Sequence, residues 1–424
     1  MSRPSGTRTL LAGTACALAL LALPATPRAQ EALADQLAEL RRVIEAQQAT
    51  ISRQQDMLDT LSGRINEVEA AAPVAAARAE ADPVVTSGQE RIQLAISGQV
   101  NRMINVANDG DDTKIYNLDN DNSSSRLRFV GTGQVTDELE VGTVIEVELE
   151  SNASGKVSQD NEDTGSASFN DRKVELVFDH KRYGKVSLGQ GDTASNGTAE
   201  VDLSGTTVIG YSSVADVAGG LRFFDDNADE LSDVSVSDVF SNHDGLSRRD
   251  RIRYDTPSLA GFKLSADLIS DQRWSSGLRW SGDFGSFKAA AAAGYSDPGD
   301  DSDYIVDGSA SVLHVPTGLN LTVSSGTKES NEGDDPYNIY AKAGWIADLV
   351  SFGPTAFSVD YAYSENNIDE GDEGHSAGFQ AVQNFSDYGT ELYAGFRWYD
   401  YDAARANLDA ETITVFTVGS RVKF

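Results

Sequence analysis

Thr412-Ile413-Thr414-Val415-Phe416-Thr417-Val418-Gly419-Ser420-Arg421-Val422-Lys423-Phe424 is the last stretch of the chain. Phe416, Val418, Val422 and Phe424 share one parity, and Thr417, Gly419, Arg421 and Lys423 share the other. Successive side chains of a strand point to opposite faces, so this segment has one greasy face and one polar, cationic face. That division suits a sheet with lipid on one side and water on the other.

The same alternation recurs upstream of it. Leu127 and Phe129 alternate with Arg126 and Arg128, and Val141, Thr143, Ile145, Val147 and Leu149 with Glu140, Glu146, Glu148 and Glu150. Val174, Leu176 and Phe178 alternate with Lys173, Glu175 and Asp179. A packed soluble core does not accept charge on this scale, whereas a wet lumen does. Seven short turns, near residues 135–138, 181–184, 257–261, 282–285, 316–318, 349–353 and 386–389, imply eight longer loops on the opposite side. Those loops hold most of the acid, as in 109–121, 160–163, 297–303, 329–335, 365–373 and 400–411. The expected fold is all-β: a sixteen-stranded antiparallel transmembrane β-barrel over residues 91–424, with an N-terminal α-helical coiled-coil segment. A soluble sandwich or propeller is the competing reading.

The chain has 424 residues and a net charge of −32, so nucleic acid, a polyanion, is excluded as a partner. Mean hydropathy is −0.34, and no stretch after residue 30 is apolar for long enough to cross a membrane as a helix. Transmembrane strands bury only alternate residues, so a polar average is compatible with a barrel. Residues 1–29 read as a signal peptide: Arg3 and Arg8 precede an apolar run from Leu10 to Leu23, and cleavage is expected after Ala29. The sole cysteine, Cys16, lies in that run, and Gly13 stands where a lipid-attachment signal needs leucine. The exported chain is thus expected to hold no disulfide.

Residues 30–69 carry a heptad seam: Leu33, Leu37, Leu40, Ile44, Gln47, Ile51, Gln54, Leu58, Leu61, Ile65 and Val68. Spacings of four and three alternate, which predicts a left-handed coiled coil on the periplasmic side and therefore self-association. Side-chain rules for the seam lean towards a dimer, so this segment does not by itself establish a trimer. Residues 70–90, rich in Ala and Pro, read as a linker.

One stretch breaks the rhythm of strands. After Lys185-Val186-Ser187-Leu188-Gly189-Gln190 comes Gly191-Asp192-Thr193, and the next clear strand begins only near Arg249. The run Tyr183 to Thr193, with Asp250-Arg251-Ile252-Arg253-Tyr254-Asp255-Thr256-Pro257 and the terminal Phe424, resembles the trimeric general-diffusion porins of Gram-negative bacteria. The resemblance implies a loop, about 191–248, folded into the barrel as a constriction. Asp192, Glu200 and Asp202 are then its acidic side, and Arg126, Arg128, Arg249, Arg251 and Arg253 the basic wall. Arg172 sits where another wall arginine is expected, but its parity points outward unless a bulge intervenes. The gap is longer than one constriction loop needs, so an extra strand pair or an outer cap is expected within it. The rod looks more like those of coiled-coil-bearing outer-membrane transporters.

Catalysis and metal binding find no support. His180, His243, His314 and His375 show no metal spacing with another His or Cys. Asp119-Asn120-Asp121-Asn122-Ser123 begins like a calcium loop, but Ser124 and Val130 occupy its glycine and closing acidic positions. No cofactor, metal or enzymatic activity is expected. The function implied is an outer-membrane porin for passive diffusion of small hydrophilic solutes and ions; the alternatives are a substrate-selective channel and a tether between outer membrane and cell wall. Implied partners are two further copies in a homotrimer, outer-membrane lipid, lipopolysaccharide bridged by divalent cations, and peptidoglycan. The acidic loops alternatively read as a plain solvated surface.

Overall fold

The computed structural model describes residues 84–86, 92–165, 168–299, 304–330 and 333–424. The expected signal peptide, the coiled coil and most of the linker lie outside the described residues.

Strand β1 (Val84–Thr86) pairs with Gln93–Ala95 at the start of β2 (Ile92–Asn108), so the end of the expected linker is ordered as a strand. There follow β3 (Thr113–Asp119), β4 (Arg126–Gln134), β5 (Leu139–Glu150), β6 (Ser168–His180) and β7 (Gly184–Asp192). Next come β8 (Arg222–Asp225) and β9 (Glu230–Ser235), which form a two-stranded sheet of their own, with one bridge from Asp225 to Ala410. The chain continues through β10 (Arg248–Asp255), β11 (Phe262–Ile269), β12 (Trp274–Phe284), β13 (Phe287–Asp297), β14 (Ile305–His314) and β15 (Leu319–Lys328). It ends with β16 (Tyr337–Val350), β17 (Gly353–Glu365), β18 (Glu373–Phe385), β19 (Thr390–Asp402) and β20 (Ile413–Lys423). Among the described residues β2, β4–β7 and β10–β20 form a closed antiparallel barrel of sixteen strands, sealed where β20 pairs with β2 from Gln99↔Lys423 to Asn108↔Thr414.

The short turns fall where the sequence puts them, except that β12 and β13 run on to Phe284↔Phe287, two residues past the expected reversal. At the 316–318 turn Gly318 has φ +71°, and a Cβ there would meet the Ile346 carbonyl oxygen, so only glycine fits. The acidic stretch 109–121, read as loop, instead contributes β3, which extends the wall beside the upper half of β2 while β4 pairs with the lower half.

The outward parity carries the apolar band. Phe416 is 50% exposed, whereas Thr417 beside it is 1% exposed and faces inward. Aromatic pairs ring both ends: Phe262–Trp280 and Trp280–Phe284 near the short turns, Trp274–Tyr295 and Tyr337–Tyr363 near the long loops. An apolar band between two aromatic girdles is the exterior of a membrane-spanning barrel.

Residues 193–247 leave β7 and fill one side of the lumen before β10 returns to pair Arg248 with Asp192. The wall is prepared for this. A buried loop must satisfy its own backbone groups, and short polar side chains on the inner faces of β12 and β14 do so. The amides of Ser195, Val201 and Leu203 donate to the hydroxyls of Ser275, Ser309 and Ser311 at 3.2, 2.9 and 3.0 Å. The amide of Ala194 donates to Asp267.

The second half of the insertion is apolar and makes the core of the protein. Val208, Ile209, Val214, Val217, Leu221, Phe223, Val236 and Phe240 pack on Met103, Tyr116, Tyr399, Tyr401, Ile413 and Val415 of the wall. Each such side chain contributes roughly 1.5–3 kcal/mol when fully buried. Tyr399 donates to the Val214 carbonyl at 2.7 Å and Asn105 to the Val217 carbonyl at 2.8 Å. The extra strand pair expected in this stretch is the β8–β9 hairpin. Ile413 and Val415 therefore lie on the inward parity of β20 because that part of the lumen is filled with protein, not water.

Candidate functional site

What the insertion leaves open is a cavity of about 650 Å³ between it and the wall formed by β4, β6, β10 and β20. Eight ionisable groups of opposite sign line it. Asp121, Glu200, Asp216 and Asp244 approach from the insertion and from the short 3-10 turn Asp121–Ser123, and Arg126, Arg172, Arg248 and Arg421 from the wall.

The two sides differ in how they are neutralised. Each guanidinium has a carboxylate beside it on the wall. Arg172 donates to Glu146 at 2.8 Å and to Glu148 at 2.5 Å, and Arg126 lies 3.6 Å from Glu146. Arg248 lies 3.0 Å from Asp192, and Arg421 donates to Glu391 at 2.5 Å. The four cavity carboxylates form no ion pair within 4.0 Å among the described residues; neutral donors hold them instead. Asp244 accepts the amides of Gly197 and Ala199 at 2.6 and 2.9 Å, and Asp121 accepts that of Gly155 at 2.7 Å. Asp216 accepts the Ser213 hydroxyl at 2.9 Å and the Tyr211 hydroxyl. Burial pushes the Glu200 carboxyl above the usual carboxylate range, and the charges of Asp244 and Asp216 push it further. Asp121 moves the same way, through burial and then Glu150 and Asp216.

Of the residues singled out in the sequence, Arg126 and Glu200 line this cavity. Arg172 joins them through the bulge its parity required: Lys173 pairs with Glu146 and Asp171 with Val147, which leaves Arg172 between the two registers and turned inward.

The others lie elsewhere, each for a physical reason. Asp192 is a wall residue bound to Lys173 and Arg248, so its charge is spent on neighbours. Asp202 is buried against Lys342 at 2.7 Å and ties the loop to β16. Arg249 is exposed and donates to the Arg248 carbonyl at 2.9 Å. Arg251 donates to the carbonyls of Gly189 and Asp192 at 2.7 and 2.9 Å and to Glu175, and Arg253 to the carbonyls of Asp192 and Thr193 at 3.1 and 2.8 Å. These two arginines clamp the entry of the loop. With Arg128, Lys173 and Lys185 they border a second cavity of about 320 Å³ nearer the short turns.

Asp216, Asp244, Arg248 and Asp121 were not foreseen as site residues. The first two fall in the stretch 205–247, whose course alternation does not report. Arg421 had a signal, its place on the polar parity of the last strand.

Comparison with known proteins agrees with this geometry. None of the curated proteins compared matches the sequence. Among solved structures, an anion-selective porin from Comamonas acidovorans is 18% identical, with a TM-score of 0.54 over 78% of this chain and 100% of that one. The outer-membrane channel DcaP of Acinetobacter baumannii is 11% identical, with a TM-score of 0.52 over 80% of this chain and 99% of that one. A loop-deletion mutant of OmpT, an outer-membrane protein of Vibrio cholerae, is 14% identical, with a TM-score of 0.54 over 79% of this chain and 100% of that one. At these identities the likeness speaks for the fold. Residues 68–404 match the family model described as Gram-negative porin, so the chain belongs to the Gram-negative porin family and is an outer-membrane β-barrel channel for diffusion.

Proposed function

We propose that small hydrophilic solutes and ions cross through the cavity beside the inserted loop, and that this path prefers cations. One observation carries the reading: the guanidiniums of Arg126, Arg172, Arg248 and Arg421 are matched by wall carboxylates, whereas Asp121, Glu200, Asp216 and Asp244 are not. Counted with their partners, the basic side is close to neutral, and the loop side is anionic to the extent that its carboxyls are ionised, most fully above the value of about 8 to which Glu200 is raised. Charged rings lining a pore set which ions enter it. The acidic outer loops add long-range attraction of the same sign. Current through single channels in a planar bilayer tests the path: Glu200→Lys should lower cation current, and an unchanged current places conduction elsewhere.

The homotrimer is carried over from the family resemblance, and the heptads of residues 33–68 support a rod that projects into the periplasm, bundles the protomers and reaches towards peptidoglycan. The acidic loops would face lipopolysaccharide, with divalent cations between like charges.

A further inference from the structure

Outside the lumen, the long-loop ends of β18 and β19 carry a cluster that conduction does not use. Glu373 and His375 open β18 and Asp402 closes β19, with Glu373 and Asp402 directly opposite each other. They share the parity of Phe379 and Phe396, which are 47% and 46% exposed, so they face outward at the barrel rim. One ligand atom from each lies within 4.8 Å of the others. His375 Nε2 is 3.5 Å from Glu373 Oε2. Ligands held at about 2.0–2.1 Å around tetrahedral zinc stand about 3.4 Å apart, so this pair is already at coordination spacing.

A second observation concerns the orientation of the ring. His375 Nδ1 lies 2.8 Å from the Tyr361 hydroxyl, and the imidazole packs 5.1 Å from the Tyr363 ring. A metal-ligating histidine usually has its other nitrogen fixed by an outer partner. With Nδ1–H donating to the Tyr361 oxygen, the Nε2 lone pair is turned to the two carboxylates. Local charge points the same way. Asp400 pairs across from His375 and Glu365 across from Glu373, and among the described residues no Lys or Arg forms an ion pair with any of these carboxylates.

We propose that Glu373, His375 and Asp402 form a site for one divalent metal ion of the zinc class, with water completing its shell. The ion staples β18 to β19 at the roots of the outer loops 366–372 and 403–412. The sequence hides this site because Asp402 arrives through strand pairing, not spacing.

Zinc titration of the detergent-purified protein at neutral pH, in competition with a chromophoric chelator, tests the proposal. One zinc per chain is expected. His375→Ala and, separately, Asp402→Asn should each weaken binding at least about tenfold, and Tyr361→Phe, which removes no ligand, by about tenfold. Asp283→Asn, at the opposite end of the barrel, should leave it unchanged. Unaltered single-channel conductance of each variant verifies the fold. Absence of stoichiometric zinc in the wild type, or wild-type affinity in His375→Ala, overturns the proposal.

Discussion

The Lys342 ammonium lies 2.7 Å from the Asp202 carboxylate, and the two side chains are 0% and 2% exposed. Lys342 also donates to the Gly210 carbonyl at 2.6 Å. One cation on β16 thus holds both the outgoing and the turning part of the inserted loop. Lys342→Met strands a buried carboxylate and is expected to cost about 3–5 kcal/mol, read as a lower urea midpoint and faster proteolysis within 193–247. Adding Asp202→Leu removes the stranded charge and should recover much of that loss. Equal stability of the single and double variants contradicts the tether.

The charge ledger of the main cavity yields a set of substitutions. A unit charge about 8 Å from a passing ion in water is worth roughly 0.5 kcal/mol, with opposite sign for cation and anion, so Glu200→Gln or Asp244→Asn should each lower the cation-to-anion permeability ratio about fivefold where the carboxyl is ionised. Arg421→Ser removes one wall cation and leaves Glu391 with Lys423 alone at 3.2 Å, and should raise the ratio by a similar factor, whereas Arg249→Ser should not move it. Reversal potentials of the four variants in one salt gradient check this ordering. A shift in Arg249→Ser as large as that in Glu200→Gln contradicts the placement.

Acid should change selectivity early. Glu200 is held above the ordinary carboxylate range by burial and by Asp244 and Asp216. A carboxyl with a raised pKa loses its charge at a higher pH than exposed carboxylates do as the solution is acidified. Cation preference should therefore decline as the pH falls from about 9 to about 7, through the Glu200 value of about 8, well before ordinary carboxylates near 4.3 titrate. Glu200→Gln should flatten that decline, and a wild-type profile level across this window excludes Glu200 as the titrating group.

The proposed N-terminal coiled coil is tested by deletion. Deleting residues 33–68 should leave single-channel conductance as it is and lower the temperature at which the oligomer dissociates in mild detergent. Undiminished heat resistance removes the rod from assembly.

The sequence tells most where a strand has two solvents. Alternation at Phe416, Thr417 and Val418 reports lipid and lumen residue by residue, so the strand count and turns could be read from one chain. Arg172 was readable only conditionally, since its inward turn depends on a one-residue bulge that alternation cannot register. The loop was harder still. Residues 205–247 pack an apolar core against Tyr399, Ile413 and Val415, and such packing leaves no period in the sequence. Asp202 and Asp192 misled for a plainer reason: an acidic residue near a pore is indistinguishable in sequence from one already bound to a lysine on the wall. Resemblance pointed to residues 191–248, and only the contacts sorted the carboxylates there into paired and unpaired.

The most direct test of the unpaired-carboxylate account is the zero-current potential of single wild-type channels across a potassium chloride gradient at about pH 9, above the value of about 8 to which Glu200 is raised. The account predicts a potential of the sign set by potassium crossing more readily than chloride, reduced in the Glu200→Gln, Asp244→Asn double variant. A potential of the opposite sign, or one that the double variant leaves untouched, contradicts it.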